Sequence, residues 1–257
     1  MPKILALIRR HLRLAALGLC LAFVVTSPGN LNAATKKHHN SSKSDKKSSK
    51  KKGSKGGRKG KRSRGYSEPT FTVPDIRRGF QTVVIDAGHG GHDRGGIDGQ
   101  VIPEKEIALD TAQRLEKLLQ RAGFRTVMTR PNDEFVSLPG RVAMANAYDN
   151  AVFVSVHYNS SRNLDAHGFE TYYFHGAGYP LAARIHRNLL SSIQTEDRGV
   201  RRRGFYVIRN TRIPAVLCEC GFLTNMQEGN AALQKGYRQK VAEAIARALI
   251  ETRREGG

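Results

Sequence analysis

Thirty consecutive residues, Thr35 to Arg64, hold no aromatic side chain and no aliphatic one beyond Thr35. A stretch of that composition has no apolar area to bury, so nothing offsets the entropy that ordering it would cost. It reads as a disordered, self-repelling linker of Lys, Ser, Gly, Arg and His, and the folded part of the chain lies after it. The same tract accounts for the charge. The 257-residue chain carries a formal net charge of +21, of which residues 1–34 contribute +4, residues 35–64 +13 and residues 65–257 only +4. The basic balance therefore belongs to a tether and not to a folded surface. What remains is long enough to bury most of its apolar surface without disulfides. No G-X-Y period, heptad pattern or second long apolar run occurs, which excludes collagen, coiled coil and polytopic membrane protein.

Upstream of the tract, Lys3, Arg9, Arg10 and Arg13 precede a twelve-residue apolar run from Leu14 to Val25. That length suits the core of a secretory signal, whereas a bilayer span needs about 20 residues. Leu31-Asn32-Ala33-Ala34 follows as an imperfect small-residue cleavage site. The expected organisation is a signal peptide over 1–34, a basic linker over 35–79 and one folded domain over 80–257. Export to the periplasm or cell envelope follows from it. Beyond the signal only Cys218 and Cys220 remain, flanking Glu219. On a strand they point to the same face and bridge poorly, so they read as small buried apolar side chains.

Within the domain, Gln81 to Asp86 reads as a buried strand closed by the turn Ala87-Gly88-His89-Gly90-Gly91. Pro103 and Glu104 open a helix whose apolar residues Ile107, Ala108, Ala112, Leu115 and Leu119 recur at helical spacing up to Ala122-Gly123. Further strands are expected at Arg125 to Thr129, Ala151 to Val156, Phe169 to Phe174, Phe205 to Ile208 and Ala215 to Cys220. Helices are expected at Arg141 to Ala147, Pro180 to Ile193 and Tyr237 to Thr252. Strands alternating with helices predict a single α/β domain with a mostly parallel central sheet and helices on both faces.

Chemistry in such folds gathers past the carboxyl ends of strands. His89 follows the first strand, Glu104 heads the first long helix, His157 ends the central strand and Glu219 lies near the end of the last. Two imidazoles and a carboxylate suit zinc with an open fourth position for water, whose pKa the metal lowers from about 16 toward about 7. A second, unligated carboxylate nearby would move the proton to the leaving nitrogen. Residue types alone leave His92 and His175 equally available as ligands. Spacing does not select among them.

Ile85-Asp86-Ala87-Gly88-His89-Gly90-Gly91, Glu104-Lys105-Glu106, Thr129-Arg130, Ser155-Val156-His157-Tyr158-Asn159, Gly168-Phe169-Glu170, Arg198-Gly199-Val200 and Pro214 to Asn225 occur in that order. Together they resemble the successive motifs of the zinc-dependent N-acetylmuramoyl-L-alanine amidases, over about residues 81 to 252. The resemblance implies zinc on His89, Glu104 and His157, with Glu219 as the catalytic carboxylate. It departs at Ala87 and Arg94, where the family commonly has Pro. The implied reaction cleaves the amide joining the lactyl group of N-acetylmuramic acid to L-alanine, with peptidoglycan as substrate, one Zn(2+) per domain and a monomeric enzyme. Arg130 and Arg141 would either steer the anionic stem peptide or form structural ion pairs. Regulated members carry an insertion with a blocking helix before the last catalytic strand. Here only Asn159 to Val216 separates the motifs, so an open site is expected.

Two other readings remain at this level. One is a different zinc peptidase, such as a carboxypeptidase on cell-wall peptides. The other is a binder of nucleic acid or another anionic polymer through the basic tract, though the tract has no interleaved aromatics and no nucleic-acid module follows it. As a tether, residues 35–64 would hold the chain near anionic envelope polymers or lipid headgroups.

Overall fold

A computed structural model describes residues 71–75 and 79–256. The expected signal peptide and the basic tract of residues 35–64 lie outside the described residues. Six strands form one sheet: β1 (Thr82–Ala87), β2 (Arg125–Met128), β3 (Ala151–Asn159), β4 (Phe169–Tyr173), β5 (Asp197–Arg202) and β6 (Ala215–Phe222). Their spatial order is β2-β1-β3-β6-β4-β5. Every neighbouring pair is parallel except β4 with β6. The helices are α1 (Glu104–Arg121), α2 (Leu138–Ala145), α3 (Tyr179–Ser192), α4 (Tyr206–Asn210), α5 (Met226–Leu233) and α6 (Lys235–Glu255).

The two-residue period of the strands sorts their side chains between two unequal covers. Ile85, Val154, Val156, Cys218 and Cys220 face one core, which α1, α3 and α6 complete with Leu115, Leu119, Ile185, Leu189, Ile245 and Leu249. Each such side chain, removed from water, contributes about 1.5–3 kcal/mol, so this face supplies most of the stability. Val84, Phe153 and Leu217 face the other way, onto Val142 and Ala145 of α2 and Val207 and Ile208 of α4. That second cover is one helix of eight residues and one of five. By the same alternation, Asp86, Ser155, His157 and Glu219 emerge on the thinly covered face. The fold is thus a single α/β domain with helices on both faces and a gap left on one.

Several elements differ from the sequence reading. Phe205 to Ile208 is not a strand; α4 begins at Tyr206 and buries Val207 and Ile208. A four-residue apolar run cannot separate strand from helix by periodicity, and the partner of β4 is instead the polar Asp197–Arg202. As an edge strand, β5 has one unpaired side, which lets exposed arginines sit on it. Helix α2 starts at Leu138, three residues earlier than expected. The Ser137 hydroxyl accepts the Gly140 N–H, and Pro139 fits the first turn. Helix α5 was not foreseen, although the Asn225 side chain caps it by accepting from the amides of Gln227 and Glu228.

Candidate active site at the carboxyl ends of the central strands

The loop after β1, the first turn of α1 and the end of β3 bring three side chains together. Ligand atoms from His89, Glu104 and His157 lie within 4.8 Å of one another, an arrangement that can hold a metal ion. His89 Nε2 is 3.1 Å from Glu104 Oε2, and His157 Nδ1 is 2.8 Å from Glu104 Oε1. Glu104 is buried at the start of α1, where its Oε1 also accepts the Tyr158 N–H at 3.0 Å and the helix dipole favours its charge. Burial alone would raise its pKa, but hydrogen bonds from His157 and His89 outweigh that and hold it below the ordinary carboxylate range. Burial would lower His89, yet Glu104 and then Asp93 raise it to about 9. Both imidazoles keep an outlet, with side chains 23% and 16% exposed.

The loop that carries His89 is fixed from beneath by two buried arginines. Arg130 donates to the carbonyls of Ala87, Gly88 and Lys105 at 2.9, 2.7 and 2.8 Å. Arg141 donates to the Asp86 carboxylate at 2.7 Å and to the carbonyls of Ala87 and His89 at 2.6 Å each. These contacts hold His89 at a φ of +60°, in the left-handed region that a side chain with Cβ adopts only under constraint. Arg130 and Arg141 are 0% and 3% exposed, with their guanidinium groups engaged by these partners. The Arg141 charge is balanced by Asp86, which also accepts from Thr129 and Ser155 at 2.6 Å each. Burial would raise the Asp86 pKa; the Arg141 charge, then the Ser155 and Thr129 hydroxyls, bring it below its usual value.

Glu219 sits on β6 in register with His157 of β3. Its Oε2 is buried and has no hydrogen-bond partner among the described residues. Burial pushes its pKa up to about 8, with the Glu104 and Glu170 charges adding and the two imidazoles opposing. A carboxyl so placed is free to exchange a proton, which is what general acid–base work requires. The two alternative histidines lie elsewhere. His92 packs on the Phe135 ring with centroids 4.2 Å apart, and His175 Nε2 donates to the Arg209 carbonyl at 2.8 Å.

Sequence reasoning missed Asp86, Asp93 and Glu170. Asp93 Oδ2 lies 2.9 Å from His89 Nδ1 and so orients the ring, as outer carboxylates do for metal-binding histidines. Asp86 could have been found, because a charge inside a buried strand must have a buried partner.

Fold and cluster define an α/β domain whose His89–Glu104–His157 group can hold a metal ion, beside a carboxyl with a buried, unpartnered oxygen. Residues 83–251 match the family described as N-acetylmuramoyl-L-alanine amidase, and the chain belongs to that family. It is 40% identical over 173 residues to Bacillus subtilis (strain 168) YqiI, covering 66% of this chain and 83% of that one. To the N-acetylmuramoyl-L-alanine amidase LytC of the same strain it is 38% identical over 169 residues, 64% of this chain and only 34% of LytC. The solved structure of the N-acetylmuramoyl-L-alanine amidase AmiC2 of Nostoc punctiforme aligns with a TM-score of 0.63 at 38% identity, covering 66% of this chain and 95% of that one.

Proposed function

We propose that the chain is a zinc-dependent hydrolase that cleaves the amide between N-acetylmuramic acid and L-alanine in peptidoglycan, acting in the cell envelope after export. The observation that carries the mechanism is the unpartnered, buried Oε2 of Glu219 beside the His89–Glu104–His157 cluster. The donor set fits zinc: two imidazoles, one carboxylate, and Asp93 behind one ring. His89, Glu104 and His157 would hold the ion. When bound, zinc supplies a Lewis acid for the amide carbonyl and acidifies water.

The chain's own residues supply the rest. Glu104, fixed by the Tyr158 N–H, keeps both imidazoles turned toward one point. Arg130 and Arg141 hold the His89 loop against displacement, so the cluster is preorganised. Glu219 accepts the proton of the attacking water and returns it to the departing nitrogen of L-alanine. The exposure of both imidazole side chains, and a β3-to-β6 connection made of β4, α3, β5 and α4, support a cleft that works without an activator. On this reading residues 1–34 are a signal and residues 35–79 a basic linker that deliver the domain (80–257) to the envelope, where it acts as a monomer.

A digest of purified sacculi by the zinc-loaded protein, with and without chelator, tests this. The expected product is stem peptide with a free L-Ala amino terminus, lost with chelator and formed without any added protein. Release of single D-Ala would indicate the carboxypeptidase reading, and a requirement for a second protein would overturn the open cleft.

A further inference from the structure

The cluster opens into a cavity of about 290 Å³, close to the lower end of the roughly 300–1,000 Å³ usual for small-molecule sites. His89 and His157 form part of its wall, and Phe135, Leu138, Phe205, Tyr206, Val207 and Leu217 form its apolar part. Phe135, Leu138, Phe205 and Tyr206 are 48%, 51%, 41% and 38% exposed, although rings and chains of that kind are normally hidden. Phe205 is held edge-on against Tyr172 with centroids 5.0 Å apart, so it presents a ring without first having to be ordered.

Charge divides the surroundings of the cluster. The permanently charged side chains on the cavity wall are all held in pairs: Asp86 with Arg141, both buried, and Asp93 with His89 at 2.9 Å. Beyond Glu219 the lining is charged instead of apolar: Arg198 and Arg201 reach Glu170 at 3.3 and 3.5 Å, Arg198 also reaches Glu196 at 3.3 Å, and the Arg201 side chain is 44% exposed. A muramoyl-peptide amide is divided in the same way. Its sugar end is uncharged once the lactyl carboxyl is amidated, and its peptide end carries free carboxylates.

Building on the reaction proposed above, we infer that the aromatic slot takes the pyranose end of the substrate and thereby sets the direction in which the amide crosses the site. The apolar C–H face of a pyranose and its acetamido and lactyl methyls lie against Phe205 and Phe135 at little desolvation cost.

Two soluble substrates with the same amide and stem peptide test this on the full-length, zinc-loaded protein: a disaccharide muropeptide, and an N-lactoyl peptide from which the sugar is missing. Phe205→Ala should lower the preference for the muropeptide, read as a ratio of kcat/KM values, about tenfold, a typical effect of truncating a central aromatic contact. Phe135→Ala, at a second point of the same cavity wall, should do the same and guards against misfolding of the first variant. In parallel, calorimetry with the peptide-free N-acetylglucosaminyl-N-acetylmuramic acid disaccharide should show weaker binding by both variants than by the parent protein. Retained preference in both variants, or unchanged disaccharide binding, would overturn the slot assignment, as would loss confined to the N-lactoyl peptide. If the parent protein cleaves neither substrate, the reaction fails, while the disaccharide binding still decides the slot.

Discussion

Glu170 and Glu219 face each other across the antiparallel pair β4 and β6, yet four donors reach Glu170 and none reaches Glu219 Oε2. Tyr172 Oη and Asn159 Nδ2 donate to Glu170 at 2.5 and 2.8 Å, and Arg198 and Arg201 approach within 3.5 Å. One carboxylate ties three strands together; the other is left able to carry a proton.

The two should separate on substitution. Glu219→Gln is expected to keep zinc and lose turnover by about 10²–10⁴, with no loss of stability, because it removes a buried group that lacks a partner. Glu170→Gln is expected to cost about 1.5–3 kcal/mol, since its charged hydrogen bonds weaken. Metal content, turnover and thermal melts on both variants check this. Ordinary turnover in Glu219→Gln would remove its assigned role.

His89→Ala and His157→Ala should lose zinc and activity together, because each removes one of three ligands. Metal analysis after dialysis decides it. A fully metallated His89→Ala protein would move the ligand role to another histidine.

Gly88→Ala should weaken zinc binding without unfolding the domain. A Cβ at residue 88 would lie 2.4 Å from Cε1 of the His157 ring, so the ring must turn away from Glu104. Metal titration should show at least a tenfold rise in Kd, by analogy with outer-contact substitutions at metal sites, which cost about 10–100-fold. Unchanged affinity would show that the ring moves freely.

Asp86 sets the acid limit of the fold. Its folded pKa is below the ordinary value of 3.8, so its contribution is complete above that pH and is lost as pH falls through the lower folded value. Asp86→Asn leaves Arg141 buried without its counter-charge and should cost about 3–5 kcal/mol at neutral pH. The variant should also show a flatter stability curve below pH 4. Urea melts across that range test both parts, and an equally steep acid branch would assign it to other carboxylates.

Deleting residues 35–64 should leave turnover on soluble muropeptides unchanged and weaken binding to intact sacculi or anionic vesicles. The difference should shrink as salt is raised, because thirteen net positive charges act through a screened field. Equal binding by the shortened and full-length proteins at low salt would reduce the tract to a spacer.

The order of motifs, the long amphipathic helix α1 and the buried strands β1, β3 and β6 were legible in the sequence; His89, Glu104, His157 and Glu219 were singled out by the family motifs and not by spacing, and the structure brings the first three together. Local pattern also determined that Cys218 and Cys220 face away from Glu219, since the strand period is two. What it could not determine was decided by contacts distant along the chain. His92 and His175 stand outside the cluster because loop paths carry them to Phe135 and to the Arg209 carbonyl. Arg130 and Arg141 turn inward because three carbonyls of the His89 loop and the Asp86 carboxylate need donors where water cannot reach. Phe205 to Ile208 became helix because β4 paired with Asp197–Arg202 instead, a choice made by sheet register and not by the apolar content of either segment.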